Sequence, residues 1–298
     1  MIPIDVIRPI LEDVLINEPM SHHTSFRIGG PAEVFARPKT ATELTRIWED
    51  CRKYGIPLTI LGDGTNVLVA DEGIKGVVVT TSNIRSIEIL GEGRIRVQAG
   101  ARLAKMADEA CKAGLDGMAF ASGIPGTIGG AVYMNAGAYD HDIGEFIETV
   151  TMLTSDSLPV VKTKEEMGFG YRESIVQKDK ALVLDAIFKL AFGEPTEIRE
   201  KMTELNNRRR TTQPLESPSA GSTFKRPPGN FAGALIQKSG LKGLQIGGAK
   251  VSEKHAGFII NTGGATAKDV MGLIEAVRNR VYENSGVWLE PEIKVLGS

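Results

Sequence analysis

Arg172 and Ser222 stand in segments that suit chemistry better than they suit a hydrophobic core. Arg172 lies in the glycine-flanked segment GYRES. A guanidinium offers a planar fork that can bind a carboxylate through two hydrogen bonds. Ser222 lies in PSAGSTFKR, with no Gly-x-Ser-x-Gly motif and no adjacent histidine or acid that would make it a nucleophile. Its hydroxyl fits better as a proton donor to a strongly basic carbanion, although both side chains could also be ordinary surface groups.

Charged residues near these two positions extend the candidate site. Glu290 and Glu292 lie two positions apart on a predicted strand and would share one face of it. Two surface charges are the alternative interpretation. Lys225 and Arg226 follow Ser222 and could supply the positive charge that a proton-donating hydroxyl needs. Lys225 could equally bind a diphosphate of the substrate, and the sequence leaves both roles open.

Two glycine-rich segments point to a large phosphorylated ligand. Residues 62–66 read GDGTN after a predicted buried strand, and residues 123–139 read GIPGTIGGAVYMNAGAY. Glycines let backbone amides approach an anion closely, and a helix that begins near Gly126 would direct its first amides at a phosphate. We expect Asp63 to point to solvent, away from that charge. A polar turn and tight helix packing are the respective alternatives. Neither common nucleotide signature occurs, since Val67 stands where a dinucleotide fingerprint needs glycine.

Six segments, in the same order, resemble the bacterial UDP-N-acetylenolpyruvoylglucosamine reductases. These are FAD enzymes that complete UDP-N-acetylmuramate for peptidoglycan. The segments cover residues 23–32, 61–66, 123–139, 170–174, 219–226 and 289–292. The short stretch between Arg172 and Ser222 resembles the shorter class of this family, which lacks an extra substrate loop.

The resemblance implies cofactors, reaction and roles. The cofactors are FAD and NADPH. NADPH first reduces the flavin, and the enolpyruvyl substrate then receives hydride at C3 and a proton at C2. Arg172 and Glu292 would stabilise the developing charge, and Ser222 would donate the proton. The implied cofactor-binding residues are Gly62, Gly64, Thr65, Asn66, Gly123, Pro125, Gly126, Thr127, Gly129, Asn135 and Gly137, and the implied substrate-binding residues are Tyr171 and Lys225.

Composition sets the broad class. The chain has 298 residues, 34 glycines, 42% hydrophobic and 24% charged residues, and a net charge of −2. These values are typical of a soluble globular protein with more than one domain and give no bulk attraction to nucleic acid. We expect no membrane span, no signal peptide and no metal site. Cys51 and Cys111 fall on apolar helix faces, which predicts buried reduced thiols and a cytoplasmic location. We expect a monomer.

The pattern of elements indicates an α+β protein. Capped or amphipathic helices are predicted at residues 40–54, 102–113, 195–210, 231–239 and 267–284. Strands are predicted at residues 58–61, 76–80, 84–90, 94–98, 146–153, 160–162, 181–190, 257–260 and 287–295. We divide the chain at residues 1–80, 81–194 and 195–298. The resemblance implies that the first two parts form an FAD-binding fold of the vanillyl-alcohol oxidase type and that the third binds substrate.

The run Arg208–Arg210 ends a predicted helix, where cations suit the dipole, so we interpret it as a solvated helix terminus, with phosphate binding as the alternative.

Two other functions for the whole chain are considered. One is an FAD-dependent oxidase or dehydrogenase of small alcohols, and the other is a non-catalytic flavin-binding module. Neither needs the segments at residues 219–226 and 289–292.

Overall fold

The computed structural model describes residues 3–11, 13–155 and 158–297. The helices are α1 Pro3–Ile7, α2 Ala41–Lys53, α3 Leu103–Lys112, α4 Ile128–Met134, α5 Ile175–Lys178, α6 Pro195–Thr212, α7 Ala232–Lys238 and α8 Ala267–Ser285. The strands are β1 Val14–Pro19, β2 Pro31–Ala36, β3 Leu58–Leu61, β4 Val67–Val69, β5 Ile74–Thr80, β6 Ile87–Gly91, β7 Arg94–Gln98, β8 Leu115–Asp116, β9 Gly137–Ala138, β10 His141–Asp142, β11 Ile147–Leu153, β12 Pro159–Thr163, β13 Leu182–Lys189, β14 Ala191–Phe192, β15 Gln245–Ile246, β16 Ala249–Val251, β17 Ile259–Asn261 and β18 Lys294–Leu296.

Two compact units divide the chain. The first unit consists of Met1–Ile16, Val34–Asp63 and Gly76–Arg209, and the second consists of Asn17–Glu33, Gly64–Lys75 and Arg210–Ser298. The predicted division at residues 1–80, 81–194 and 195–298 stays a prediction.

The first unit contains two hydrophobic cores. One joins α2 to a sheet with strand order β1-β2-β5-β3, in which β3 and β5 run parallel. Its helix begins as predicted, because the Thr40 hydroxyl accepts from the Glu43 amide while the Glu43 carboxylate accepts from the Thr40 amide. The other core lies against an antiparallel sheet with order β12-β11-β13-β7-β6, together with α3 and α4. The predicted hairpin is its β6–β7 edge.

The second unit has one core. Helix α8 contributes the predicted apolar stripe, and the antiparallel sheet β15-β16-β17 and α7 contribute the rest. The helix begins at a capping box formed by Thr266 and Asp269, and it ends at Gly286, whose φ is positive.

One local prediction is wrong and one is displaced by two residues, and each has a physical cause. The strand predicted at residues 287–295 is reduced to β18, which runs parallel to the unpredicted β4, because Pro291 has no amide to donate to a ladder. The helix predicted to begin near Gly126 begins at Ile128, because Thr127 takes the extended N-cap conformation. Strand β2 was also not predicted. In contrast, Cys51 and Cys111 are buried and free, as predicted.

Candidate cofactor and substrate sites

Two of the predicted glycine-rich segments meet in the first unit. A Cβ on Gly62 would collide with the hydroxyl of Thr127, so the close approach requires glycine. Thr127 is buried, and its hydroxyl caps α4 by accepting from the Gly130 amide at 3.4 Å. The structure thus joins the loop after β3 to the start of the long glycine run.

The expectation that Asp63 points to solvent is wrong. Its carboxylate Oδ2 accepts from Arg102 Nε at 2.8 Å, and only 17% of the Asp63 side chain is exposed. The arginine offsets the negative charge beside the glycine loop. An acidic residue can therefore stand at this position without repelling an anionic ligand by its full charge.

The first amides of α4 are engaged in the fold. Ile128 N donates to Ala101 O and Gly129 N donates to Ala99 O, each at 2.8 Å. The expectation that these amides point at a phosphate is therefore wrong. Gly129 instead allows close packing, since a Cβ there would lie 3.1 Å from the Ala99 Cβ.

The end of the glycine run is tied to the segment that carries Arg172. Asn135 is buried in a left-handed conformation with φ 42°. Its Nδ2 donates to Gly170 O at 3.0 Å, and its Oδ1 accepts from the Gly144 amide at 3.0 Å. Arg172 Nη2 then donates to Gly137 O at 3.3 Å. Segments that lie far apart in sequence are brought together in this way.

The backbone of Arg172 is strained. Its φ is +60°, which a residue with a Cβ adopts at a cost. The turn around it is closed by hydrogen bonds between the backbones of Gly170 and Glu173, and Gln177 Nε2 donates to the Arg172 carbonyl at 2.9 Å. The guanidinium lies over the Tyr171 ring, 5.0 Å from its centroid. Surrounding contacts thus hold an unfavourable conformation that presents Arg172, as is common at functional sites.

In the second unit, the segment that carries Ser222 lies between two others. Thr223 N donates to Gly257 O at 2.8 Å, and Glu292 N donates to Thr223 O at 2.8 Å. Ser222 itself is exposed and forms an antiparallel bridge with Phe258. Backbone pairing therefore places Ser222 and Glu292 on neighbouring segments.

The loop Gly64–Asn66 joins the same part of the second unit. Asn66 Nδ2 donates to Glu292 O at 3.4 Å, and Asn66 O accepts from Lys294 N at 2.9 Å. A Cβ on Gly64, whose φ is +64°, would collide with the His23 carbonyl. Three of the resembling segments, at residues 61–66, 219–226 and 289–292, therefore have parts that meet here.

Lys225 already has a carboxylate partner. Its Nζ lies 2.7 Å from Glu290 Oε1, and the Glu290 side chain is 69% exposed. A pair in which one partner is largely exposed contributes little stability. A ligand phosphate could replace Glu290 at Lys225 without a large loss.

Arg209 is not among the predicted site residues. We interpreted the run Arg208–Arg210 as solvated, but Arg209 Nε is buried and has no hydrogen-bond partner in the part of the chain that the structure describes. It lies against Gly123, where a Cβ would be 2.6 Å from Arg209 Cδ. A buried cationic donor beside a glycine run fits an anionic ligand rich in acceptors, and FAD is such a ligand. The only sequence signal was that three successive arginines on a helix point in different directions, so all three need not reach water.

The class of protein is that of the FAD-binding enzymes. The sequence profile of the FAD binding domain matches residues 32–160. A solved Phl p 4 variant described as a glucose oxidase superposes on 65% of this chain with a TM-score of 0.50 at 12% identity, a likeness of fold alone. The predicted fold class is confirmed.

The comparisons then identify the family. The C-terminal domain of UDP-N-acetylenolpyruvoylglucosamine reductase matches residues 213–296. The reductase of Caldanaerobacter subterraneus subsp. tengcongensis is 50% identical over 99% of this chain and 98% of its own, and that of Clostridium botulinum is 48% identical over 96% and 93%. The solved reductase from Thermus caldophilus is 36% identical over 96% of this chain and 98% of its own, with a TM-score of 0.81. The chain belongs to the UDP-N-acetylenolpyruvoylglucosamine reductase family, which confirms the resemblance.

Proposed function

We propose that this chain catalyses the FAD-dependent reduction, by NADPH, of the enolpyruvyl group of UDP-N-acetylenolpyruvoylglucosamine. The product is UDP-N-acetylmuramate, a precursor of peptidoglycan. The observation that carries the proposal is the 50% identity to a reductase of that name over 99% of the chain.

FAD would be held by residues of the glycine-rich segments. We assign this role to the positions that the family's motifs select, apart from Gly129, whose amide donates to Ala99 O. These positions are Gly62, Gly64, Thr65, Asn66, Gly123, Pro125, Gly126, Thr127, Asn135 and Gly137. When bound, FAD would supply the hydride-transfer chemistry that links NADPH to C3 of the enolpyruvyl group. The collision that a Cβ on Gly62 would cause supports a backbone fitted closely at this point.

Arg172 would hold the carboxylate of the enolpyruvyl group. The charge that develops at C2 spreads into that carboxylate, so a guanidinium there stabilises the transition state more than the ground state. Fixed donors of this kind are typically worth about 3–4 kcal/mol each. The strained turn and the Gln177 contact keep Arg172 in place before substrate arrives, and Tyr171 would contact the substrate beside it.

Ser222 would donate the proton to C2. Its exposure leaves the hydroxyl accessible to a ligand, while the Thr223 backbone anchors the segment on both sides. Glu292 would act as the second catalytic group, on the segment that pairs with Thr223. Lys225 would bind the substrate diphosphate or support the proton donor, in either case in exchange for its contact with Glu290.

We further propose a monomeric, cytoplasmic enzyme that has no nucleic-acid partner. The net charge of −2 and the absence of cysteine pairs among the described residues agree with this proposal. No helix within the described ranges has both the length and the hydropathy to cross a bilayer. Size-exclusion chromatography with light scattering tests the first part, and a mass near 32.1 kDa is expected.

One experiment separates this function from its alternatives. Purified protein is mixed with NADPH and the enolpyruvyl sugar nucleotide, with NADPH and oxygen alone, or with a small alcohol and oxygen. NADPH oxidation that depends on the sugar nucleotide is expected. Fast oxidation of the small alcohol by oxygen would indicate an oxidase. Bound flavin without either reaction would indicate a non-catalytic module.

A further inference from the structure

The last turns of α6 lie against the glycine run and the β9–β10 hairpin in the first unit. Gly123 leaves room for Asn206 and Arg209, since a Cβ there would collide with the Asn206 carboxamide and press on Arg209 Cδ. Tyr139, in the hairpin, donates its hydroxyl to the Leu205 carbonyl at 3.0 Å. This arrangement fixes Arg209 beside Gly123.

The buried Nε of Arg209 is costly to the protein when no ligand is bound. Its Nε is buried without a hydrogen-bond partner among the described residues, although the residue as a whole is half-buried. Burial lowers the pKa of its guanidinium, a sign that the charged form is poorly solvated. A buried donor that lacks an acceptor is costly and rare in folded proteins, so the Arg209 Nε points to an acceptor outside the chain.

The neighbouring arginines do not share this cost. The Arg208 guanidinium lies 5.4 Å from the centroid of the Tyr139 ring, and Arg210 is exposed. Both therefore keep favourable surroundings, whereas Arg209 does not. The contrast within one run of identical residues assigns a special role to position 209.

We infer that Arg209 is a binding residue for FAD, with its guanidinium donating to acceptor oxygens of the cofactor. The inference rests on the proposed function. It adds a residue that lies outside both matched domains, residues 32–160 and 213–296. FAD is favoured over the substrate because Arg209 touches Gly123, which belongs to the run proposed to hold the cofactor.

Two parts of FAD offer suitable acceptors, the diphosphate and the carbonyl oxygens of the isoalloxazine ring. A guanidinium fork matches either. Riboflavin, which has the ring but no phosphate, distinguishes them. If the ring is the acceptor, substitution of Arg209 weakens the binding of riboflavin and of FAD by the same factor. If the diphosphate is the acceptor, only FAD is weakened.

The test uses the full chain, with FAD removed and then titrated back while flavin fluorescence is followed. Arg209→Met keeps the length of the side chain but removes the charge and the donors, and should weaken FAD binding about 10- to 100-fold. Arg209→Lys should lose part of the affinity. Arg210→Met, the matched control, should bind FAD as the wild type does.

Thermal unfolding of the same FAD-free proteins separates binding from a structural role. Because the buried Nε of Arg209 has no partner without ligand, Arg209→Met should unfold at the same temperature as the wild type or higher. A lower unfolding temperature together with unchanged FAD affinity would overturn the inference. Unchanged FAD affinity with a raised KM for the sugar nucleotide would indicate that Arg209 contacts the substrate, and this result would overturn the inference as well. A wild-type protein that binds no FAD would instead refute the proposed function.

Discussion

Replacement of Asn135 by alanine tests how the segment that carries Arg172 is held. The side chain of Asn135 makes two hydrogen bonds, to the buried Gly144 amide and to the Gly170 carbonyl. A buried amide left without an acceptor costs about 1–3 kcal/mol, and a lost partly buried bond costs about 1 kcal/mol. Alanine at a φ of 42° adds about 1 kcal/mol of backbone strain. We therefore expect a loss of about 4 kcal/mol in the free energy of unfolding.

Asn135→Gly is the matched control, because glycine removes the same hydrogen bonds but tolerates the left-handed backbone. It should be about 1 kcal/mol more stable than Asn135→Ala. Equilibrium unfolding in urea, followed by circular dichroism, measures both differences. Since Gly170 begins the turn around Arg172, both variants should also reduce the enolpyruvyl substrate more slowly.

Two results would refute this reasoning. An alanine variant within about 1 kcal/mol of the wild type would show that the two side-chain bonds contribute little. Equal stability of the alanine and glycine variants would show that the positive φ carries no cost at this position.

The remaining predictions concern three separate sites. Arg172→Lys should keep the charge but lose most substrate reduction, because an ammonium cannot replace the bidentate fork; near-normal turnover would return Arg172 to an ordinary surface role. Thr266→Ala should destabilise the protein by about 1 kcal/mol through loss of the α8 cap, while Thr266→Ser should not. Burial raises the pKa of the Cys51 thiol to about 12. The stability linked to this thiol is therefore complete below its unfolded pKa and falls as pH rises toward 12; iodoacetamide at pH 8 should label Cys51 only in denaturant, and rapid labelling of the native protein would contradict its burial.

Local sequence signals predicted the elements whose causes are local. The Thr40–Glu43 capping box and the stripe of α8 depend on residues within one helix, and both are present. The strand predicted around Glu290 failed because its alternation was read without the missing amide of Pro291. Strand β4 was missed because three residues carry too little pattern, and its partner β18 lies far away in sequence.

The same contrast between local and distant causes holds for the candidate site. Glycines and motif order were sufficient to select the segments around Gly62 and Thr127, and the structure brings those two residues together. The contact between Asp63 and Arg102 and the burial of Arg209 depend on packing between distant segments. No local pattern encodes the contact of Asp63, and helix geometry shows only that the three arginines need not all reach water, so both Asp63 and Arg209 were predicted to lie in solvent.

The most direct test of the proposed chemistry follows the two half-reactions of Ser222→Ala by stopped-flow absorbance. Reduction of the bound flavin by NADPH should stay close to the wild-type rate, because a lost proton donor does not touch this step. Reoxidation by the enolpyruvyl sugar nucleotide should slow by at least about 100-fold, as expected for a lost general acid. Equal slowing of both steps would indicate a binding role for Ser222. Unchanged reoxidation would contradict its role as the proton donor.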